Sequence, residues 1–389
     1  MNPFAGLPMF ADMLRMLQSQ GPINWDLARQ FAIAAATRGQ AERNVDPEVR
    51  IALQDLGRIA QLHVQTVTGL PTTVDGRDVE ITPTTPGIWA QRTLDAYRPL
   101  VTELATSLGQ RPPPGAETDD DEANDPAFAM MAGLSSMMAP AMLGMAVGSM
   151  VGQLAARAFG QYDLPIPREQ RGALLIVPAT IDAFAADWSL PVDELRLWVL
   201  VQELAGHAVL NVSHVREHVS SLVRRHVAGF RPDPSAVMDK LSSLDIGDAD
   251  AMAAVQRALG DPEVLLGAVQ TPEQRAQLPF LDAIVSVIVG YVDHVVDRVA
   301  GGLIGSGGRI AEAARRRRVE ASPEDVFVER LFGLSLTRTQ VERGRAFVDG
   351  VLERAGDDGL QRLFGAEADL PTPPEVDAPG LWLARIEYT

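Results

Sequence analysis

Apolar side chains recur at three- and four-residue spacing along the first hundred residues. The pattern is clearest in Met9 to Leu17, Trp25 to Ala36 and Val49 to Val67, and this is the period of a helix with one buried face. Asn24 belongs to the residue types that cap helix N-termini. The pattern predicts that residues 8–109 are helical, with one helix beginning just after Asn24.

Farther along the chain, one segment has the character of a strand. Residues 173–178 form a short apolar run with a β-branched centre, which is typical of a buried strand. Helical patterns follow in Pro191 to Ala228, Pro279 to Val299 and Pro323 to Ala355,. We therefore expect a mainly α fold with at most a small β element.

A change of composition divides the chain. Residues 110–126 contain three consecutive prolines and six acidic side chains, which leaves almost nothing to bury. The sequence therefore predicts three regions: an N-terminal helical region at 1–109, an acidic Pro-rich linker at 110–126, and a helical core at 127–389.

The segment after this linker, residues 127–156, contains no charged side chain in thirty residues. That length is sufficient to cross a membrane, but Pro140 interrupts it and its N-terminal flank is acidic. Gly144, Gly148 and Gly152 share one helical face and permit close approach of another helix. We expect a buried helix of a soluble protein, and a membrane-associated or partner-binding helix is the alternative.

Net charge limits the kinds of partner. The chain has 51 acidic and 34 basic side chains and a formal charge of −17, so we expect no nucleic-acid partner and no anionic membrane, while a protein or peptide partner remains open. No cysteine is present, which excludes disulfides, thiolate metal sites and a cysteine nucleophile. Residues 1–7 lack the features of a secretory signal, so we expect a cytoplasmic protein.

Four of the six histidines, including His207, His214 and His218, lie between residues 207 and 226. If the helix from Pro191 is unbroken, these three side chains and Glu203 fall within about 60° of one another around its axis. One interpretation is a metal site, because residues one turn apart project toward one ion. The other is a set of partly buried histidines that are hydrogen-bonded to their neighbours.

This helix resembles that of the zincin-like metallopeptidases, a family of predicted zinc hydrolases found mainly in high-GC bacteria. The resemblance rests on residues 194–199 (ELRLWV) and on four further segments in the family's order. These are residues 21–30 (GPINWDLARQ), 155–165 (AARAFGQYDLP), 290–297 (GYVDHVVD) and 370–385 (LPTPPEVDAPGLWLAR). It implies a zincin-like, multi-helix core and a zinc-dependent peptidase ancestry.

In the family, the helix carries His-Glu-x-x-His, in which two histidines bind zinc and the glutamate is the general base. A third ligand is expected from the glutamate of a Glu-Gly-Tyr segment. In the register set by residues 197–199, the resemblance places the base at Glu203 and the ligands at Gln202, Gly206 and Val289. None of those three side chains is a strong zinc donor.

We therefore expect a catalytically degenerate member of the family with a structural or binding role and without a cofactor. The alternative is an active zinc-dependent hydrolase with shifted ligands, in which Glu203 and His207 bind the metal. His214 or His218 could then contribute from the same face, and Asp293 or His294 from the later helix. A run of four arginines at 315–318 is typical of a solvated face or a helix end.

Overall fold

The computed structural model describes residues 21–109, 126–168, 172–232, 268–319, 331–334 and 336–387. Helices dominate these ranges, which confirms the expectation of a mainly α fold. Nearly all of the predicted linker lies outside the described residues, so the division into three regions stays a prediction. The N-terminal elements are α1 (Trp25–Thr37), α2 (Pro47–Thr68), β1 (Thr73–Val74), β2 (Arg77–Asp78), β3 (Glu80–Pro83), α3 (Pro86–Ala96), α4 (Arg98–Leu108) and α5 (Pro126–Ala155).

The remaining elements surround the histidine-rich segment. They are β4 (Ala173–Ile176), α6 (Pro178–Asp187), α7 (Val192–Asn211), α8 (Ser213–Ala228), β5 (Arg231–Pro232), β6 (Ala268–Val269), α9 (Pro272–Leu303), α10 (Gly307–Val319), α11 (Arg338–Gln361), α12 (Pro373–Asp377) and α13 (Pro379–Glu387). α7 packs against α2 and α9, and α10 contacts both α7 and α9. These three helices, α7, α9 and α10, frame the site described below.

The three glycines of α5 face α1 at very short range. A Cβ at Gly144, Gly148 or Gly152 would overlap the backbone of α1 at the carbonyl of residue 24, 28 or 32. Asn24 caps α1 by accepting the backbone N–H of Leu27 at 3.1 Å, as the sequence predicted. The glycine face of α5 is therefore occupied by a helix of the same chain.

Two described helical segments, Met138–Ala155 and Pro272–Leu303, are long and apolar enough to cross a membrane. The core helix of a soluble protein passes the same test. In the apolar 18-residue window of the second segment 72% of the residues are buried inside the protein, and in the first segment 44% are buried, so packing within the chain accounts for much of their apolar character.

The histidine-rich segment is two helices rather than one. At Val212 the backbone is extended, with φ −60° and ψ 124°, so α7 ends at Asn211 and α8 begins at Ser213. Arg216 stabilises the break because its guanidinium donates to the exposed end of α7 at the carbonyl of Asn211, at 3.1 Å. The helix is therefore not unbroken, and the expectation that Glu203, His207, His214 and His218 share one stripe on a single helix is wrong.

The predicted strand at 173–178 is present as β4, over Ala173–Ile176, but its partner was not predicted. β4 pairs in parallel with β3, with Ile81 opposite Leu174. In the described residues there are three sheets, each of two strands. Through this pairing, a strand of the predicted N-terminal region is hydrogen-bonded to a strand of the predicted core.

The C-terminal segment packs against the core. Trp382 on α13 is fully buried, its indole N–H donates to the carbonyl of Asp369 at 2.6 Å, and its ring meets Phe347 of α11 edge-on. α9 begins seven residues before the predicted start at Pro279, because Thr271 and Gln274 form a reciprocal capping box,.

Candidate functional site

The three positions that the resemblance assigns to zinc ligands meet at one cavity. Gln202 and Gly206 lie one turn apart on α7, and Val289 faces them from α9. The cavity opens to solvent, and the space inside it that is available to the centre of a water-sized sphere is about 60 Å³. We call it the central cavity, and it is bounded by α7, α9, α10 and the segment from Arg157 to Pro165.

Three arginine side chains contribute to the lining of the central cavity. Arg317 and Arg318 of α10 both line the central cavity, and Arg157 lines it from the end of α5. Arg317 pairs with Asp163 at 3.5 Å, and Arg318 pairs with Asp293 at 3.2 Å. The run at 315–318 lies at the C-terminal end of α10, as one of the two sequence interpretations expected, but Arg317 and Arg318 are largely buried rather than solvated.

Apolar and aromatic side chains complete the wall. Phe159 and Trp198 lie near the arginines, and the Arg317 guanidinium stacks over the Phe159 ring at 3.7 Å from its centroid. The other apolar lining residues are Leu210, Ile288, Val289, Val292 and Leu336. The lining of the central cavity therefore combines arginine–aspartate pairs with apolar and aromatic side chains.

Glu203, at the family's base position, does not line the central cavity. Its side chain is fully buried, and its carboxylate accepts the backbone N–H of Tyr162 at 2.8 Å. Gly160 makes this possible, because a Cβ there would overlap the Glu203 carboxyl group. The carbonyl of Gly160 in turn accepts the indole N–H of Trp89 at 2.9 Å. Glu203 therefore holds the backbone of the 160–163 turn.

This environment changes the acidity of Glu203. Burial raises its pKa to about 8, and the nearby Asp163 carboxylate adds to the increase, because both disfavour the charged form. The backbone N–H of Tyr162 acts in the opposite direction. The balance favours a protonated carboxyl at neutral pH.

His207 contacts the same tyrosine from the next turn of α7. It is fully buried, and its Nδ1 lies 3.1 Å from the hydroxyl of Tyr162. Tyr162 itself lines the central cavity and covers Gly206, where a Cβ would lie 3.4 Å from the ring. Glu203 and His207 thus position Tyr162 at the cavity surface. Sequence reasoning missed Tyr162, although it lies in one of the segments that carry the resemblance.

The other candidate ligands are dispersed. His214 and His218 lie on α8, beyond the break at Val212, and burial lowers the pKa of His218 against the opposing effect of Glu367. His294 lines a separate cavity between α9 and α11. Asp293 reaches the central cavity, where it is paired with Arg318. Within the described ranges, no group of three or more His, Asp or Glu side chains could hold a metal ion.

The comparison with known families agrees with this geometry. A family model for zincin-like metallopeptidases matches residues 23–383. The chain belongs to the zincin-like metallopeptidase family. A crystal structure titled a "putative hydrolase with a novel fold", from Chloroflexus aurantiacus, is similar to this fold. Its TM-score is 0.64 at 22% identity, over 94% of this chain and 99% of that one. No curated protein matches the chain.

The residues present at the family's ligand positions do not fit zinc. An amide, a hydrogen atom and an isopropyl group stand at Gln202, Gly206 and Val289, whereas zinc in proteins is bound by imidazole, thiolate or carboxylate. Tyr162 lies over Gly206, the position that the resemblance assigns to the second imidazole.

Proposed function

We propose that this zincin-like metallopeptidase homologue has lost zinc-dependent hydrolysis and uses its cavity for binding. One observation supports the proposal most strongly. The three family ligand positions converge on one cavity as Gln202, Gly206 and Val289, and the described side chains around it include no replacement set of metal ligands. A zinc site that lacks its donors has neither the metal affinity nor the activated water that hydrolysis requires.

The shifted-ligand alternative has less support from the geometry. Glu203 and His207 are four residues apart, as two ligands should be, but both are directed at Tyr162 rather than into the central cavity. The helix break at Val212 separates them from His214 and His218. A metal bound by Glu203 would also require a charged carboxylate at a place where burial favours the protonated form,.

A restoration variant tests the assignment of these positions. The full-length triple variant Gln202→His, Gly206→His and Val289→Glu should bind one zinc per chain, because it returns all three donors to the same cavity. The backbone at position 206 admits a Cβ, which would make only ordinary contact with Tyr162. The matched control, Gln202→Ala, Gly206→Ala and Val289→Ala, should bind no zinc. Zinc uptake by the control, or none by a folded restoration variant, would contradict the assignment.

Assays of hydrolytic activity are the second part of the test. The native chain should not hydrolyse peptide or ester substrates, and added chelator should change nothing. Hydrolysis that stops on chelation and returns with zinc would support the shifted-ligand alternative. In that case Glu203→Gln and His207→Ala should abolish it, and Asp293→Asn should weaken it.

A further inference from the structure

We infer that the exposed face of α2 joins two copies of this chain in a two-fold symmetric, antiparallel dimer. The observation that carries it is an uncovered row of side chains on this helix, formed by Ile51, Asp55, Arg58 and Leu62, which we call the α2 stripe. None of these four residues lines the central cavity. The inference is therefore independent of the proposed function.

The α2 stripe is apolar at both ends and open to solvent. Ile51 is 59% exposed and Leu62 is 63% exposed. The four residues of the stripe lie within about 60° of one another around the helix axis, and their spacing of four, three and four residues is that of the contact seam between two helices packed side by side. The opposite face of α2, which includes Leu53, Ala60 and Val64, is buried in the chain. No described element covers the stripe.

The order of the residues makes the stripe complementary to itself. Two copies of α2 can run antiparallel with residues 56 and 57 at the symmetry axis. Ile51 then lies opposite Leu62 of the other copy, and Asp55 lies opposite Arg58 of the other copy. Two apolar contacts flank two contacts between opposite charges. A two-fold interface requires this property, because the same surface supplies both of its sides.

The charged residues determine the orientation of the two helices. In a parallel pairing Asp55 would face Asp55 of the other copy and Arg58 would face Arg58, so like charges would repel across the contact. Within one chain Arg58 pairs with Asp55 at 2.9 Å, but the two side chains are 77% and 57% exposed, and an ion pair in water contributes little. Both groups are therefore available to the other copy.

Charge also favours a second copy as the occupant of the stripe. A chain with a formal charge of −17 is repelled by an anionic membrane, which leaves a protein. The self-matching register then favours this chain itself. Stable dimers usually bury about 1,200–2,000 Å² in total, and one pair of helices of this length offers less. We expect a weak, reversible dimer with a dissociation constant on the order of 10–100 μM.

Sedimentation velocity of the full-length chain over a range of concentrations tests the dimer. The native chain should change from monomer to dimer as its concentration rises. Arg58→Asp should weaken dimerisation at least about tenfold, because it places like charges across the contact. The double variant Asp55→Arg with Arg58→Asp exchanges the two charges and should restore dimerisation. The matched control is Arg50→Asp, since Arg50 is exposed on the same helix but lies outside the stripe, and it should dimerise like the native chain.

Disulfide cross-linking tests the register. The chain contains no cysteine, so Ile51→Cys together with Leu62→Cys introduces its only two thiols. These positions are about 16 Å apart along one helix, whereas a disulfide requires Cα atoms about 6 Å apart, so any disulfide in this variant joins two chains. Oxidation should give a covalent dimer from the double variant. Each single variant should give far less, because identical positions are also about 16 Å apart in the antiparallel dimer.

A native chain that stays monomeric at a few hundred micromolar would overturn the inference and leave the stripe to a different protein. Dimerisation that persists in Arg58→Asp would also overturn it, because the contact would then lie elsewhere. Single and double cysteine variants that cross-link equally, or not at all, would do the same. Loss of the dimer in Arg58→Asp, recovery in the charge-exchanged variant and cross-linking confined to the double cysteine variant would establish the antiparallel pairing.

Discussion

Glu203 accepts the backbone N–H of Tyr162 at 2.8 Å, across a turn where Gly160 leaves no space for a side chain. The resemblance to the zincin-like metallopeptidases assigns the general base to this helix position. Here the carboxyl group supports a turn that carries Tyr162 and Asp163 to the central cavity. A residue type associated with catalysis is thus retained in a place where its contacts are structural.

The first prediction concerns the pH dependence of stability. Because the pKa of Glu203 is about 8 in the folded chain and 4.5 ordinarily, the folded state binds a proton that the unfolded state releases between these values. The contribution of Glu203 to stability is therefore complete below about pH 4.5 and is lost as pH rises toward about 8. The amide in Glu203→Gln cannot lose a proton. Over this pH interval the free energy of unfolding of the variant should therefore fall by a few kcal/mol less than that of the native chain.

Denaturant unfolding of both proteins at several pH values measures this difference. Glu217→Gln, which removes a carboxylate from an exposed position of α8, is the control and should follow the native curve. Parallel curves for the native chain and Glu203→Gln would show that Glu203 is charged in the folded protein.

The second prediction concerns Gly160. Its backbone is extended, with φ −158°, so alanine is compatible with the backbone and the effect should be purely steric. Because a Cβ there overlaps the Glu203 carboxyl group, Gly160→Ala should lower the free energy of unfolding by about 1–3 kcal/mol. Gly172→Ala, where a Cβ would meet nothing within 4 Å, should be nearly neutral. Equal thermal midpoints for the two variants would exclude the close packing of Gly160 against Glu203.

The third prediction concerns the glycine face of α5. In Gly148→Ala the new methyl group overlaps the backbone of α1 at Ala28, which cannot move without separating the two helices. We expect a loss of about 1–3 kcal/mol. In Gly302→Ala, near the end of α9, the methyl group meets nothing within 4 Å, and alanine should stabilise the helix by up to about 1 kcal/mol. Thermal unfolding of both variants measures this contrast, and a neutral Gly148→Ala would show that α5 does not pack on α1 in solution.

The sequence predicted the helical class, the cap at Asn24 and a strand at 173–178, of which Ala173–Ile176 forms β4, because each depends on local pattern. The break at Val212 was missed because no proline or glycine marks it, and a side chain on the following helix, Arg216, satisfies the exposed carbonyl. β3 was missed because four residues, Glu80–Pro83, contain too little alternation to predict a strand without the partner β4.

The residues of the site were also predicted only in part. The resemblance assigned Gln202, Gly206 and Val289 to one site, and all three line the central cavity, while their role as ligand positions stays a prediction. The roles of Arg317, Arg318 and Tyr162 depend on how α10 and the 160–163 turn pack against α7, and residue spacing contains no information on that packing. A run of four arginines is typical of a protein surface. Only tertiary contacts place Arg317 and Arg318 in the wall of the cavity.

The most direct test of the central claim is the zinc content of the full-length native chain, purified without a histidine tag and dialysed against zinc-containing buffer. Because Gln202, Gly206 and Val289 offer no donor set, we predict far less than one zinc per chain. The variant Gln202→His, Gly206→His and Val289→Glu, treated in parallel, should contain about one, as expected for a site with three protein ligands. One tightly held zinc per native chain that is lost in Glu203→Ala or His207→Ala would contradict the account.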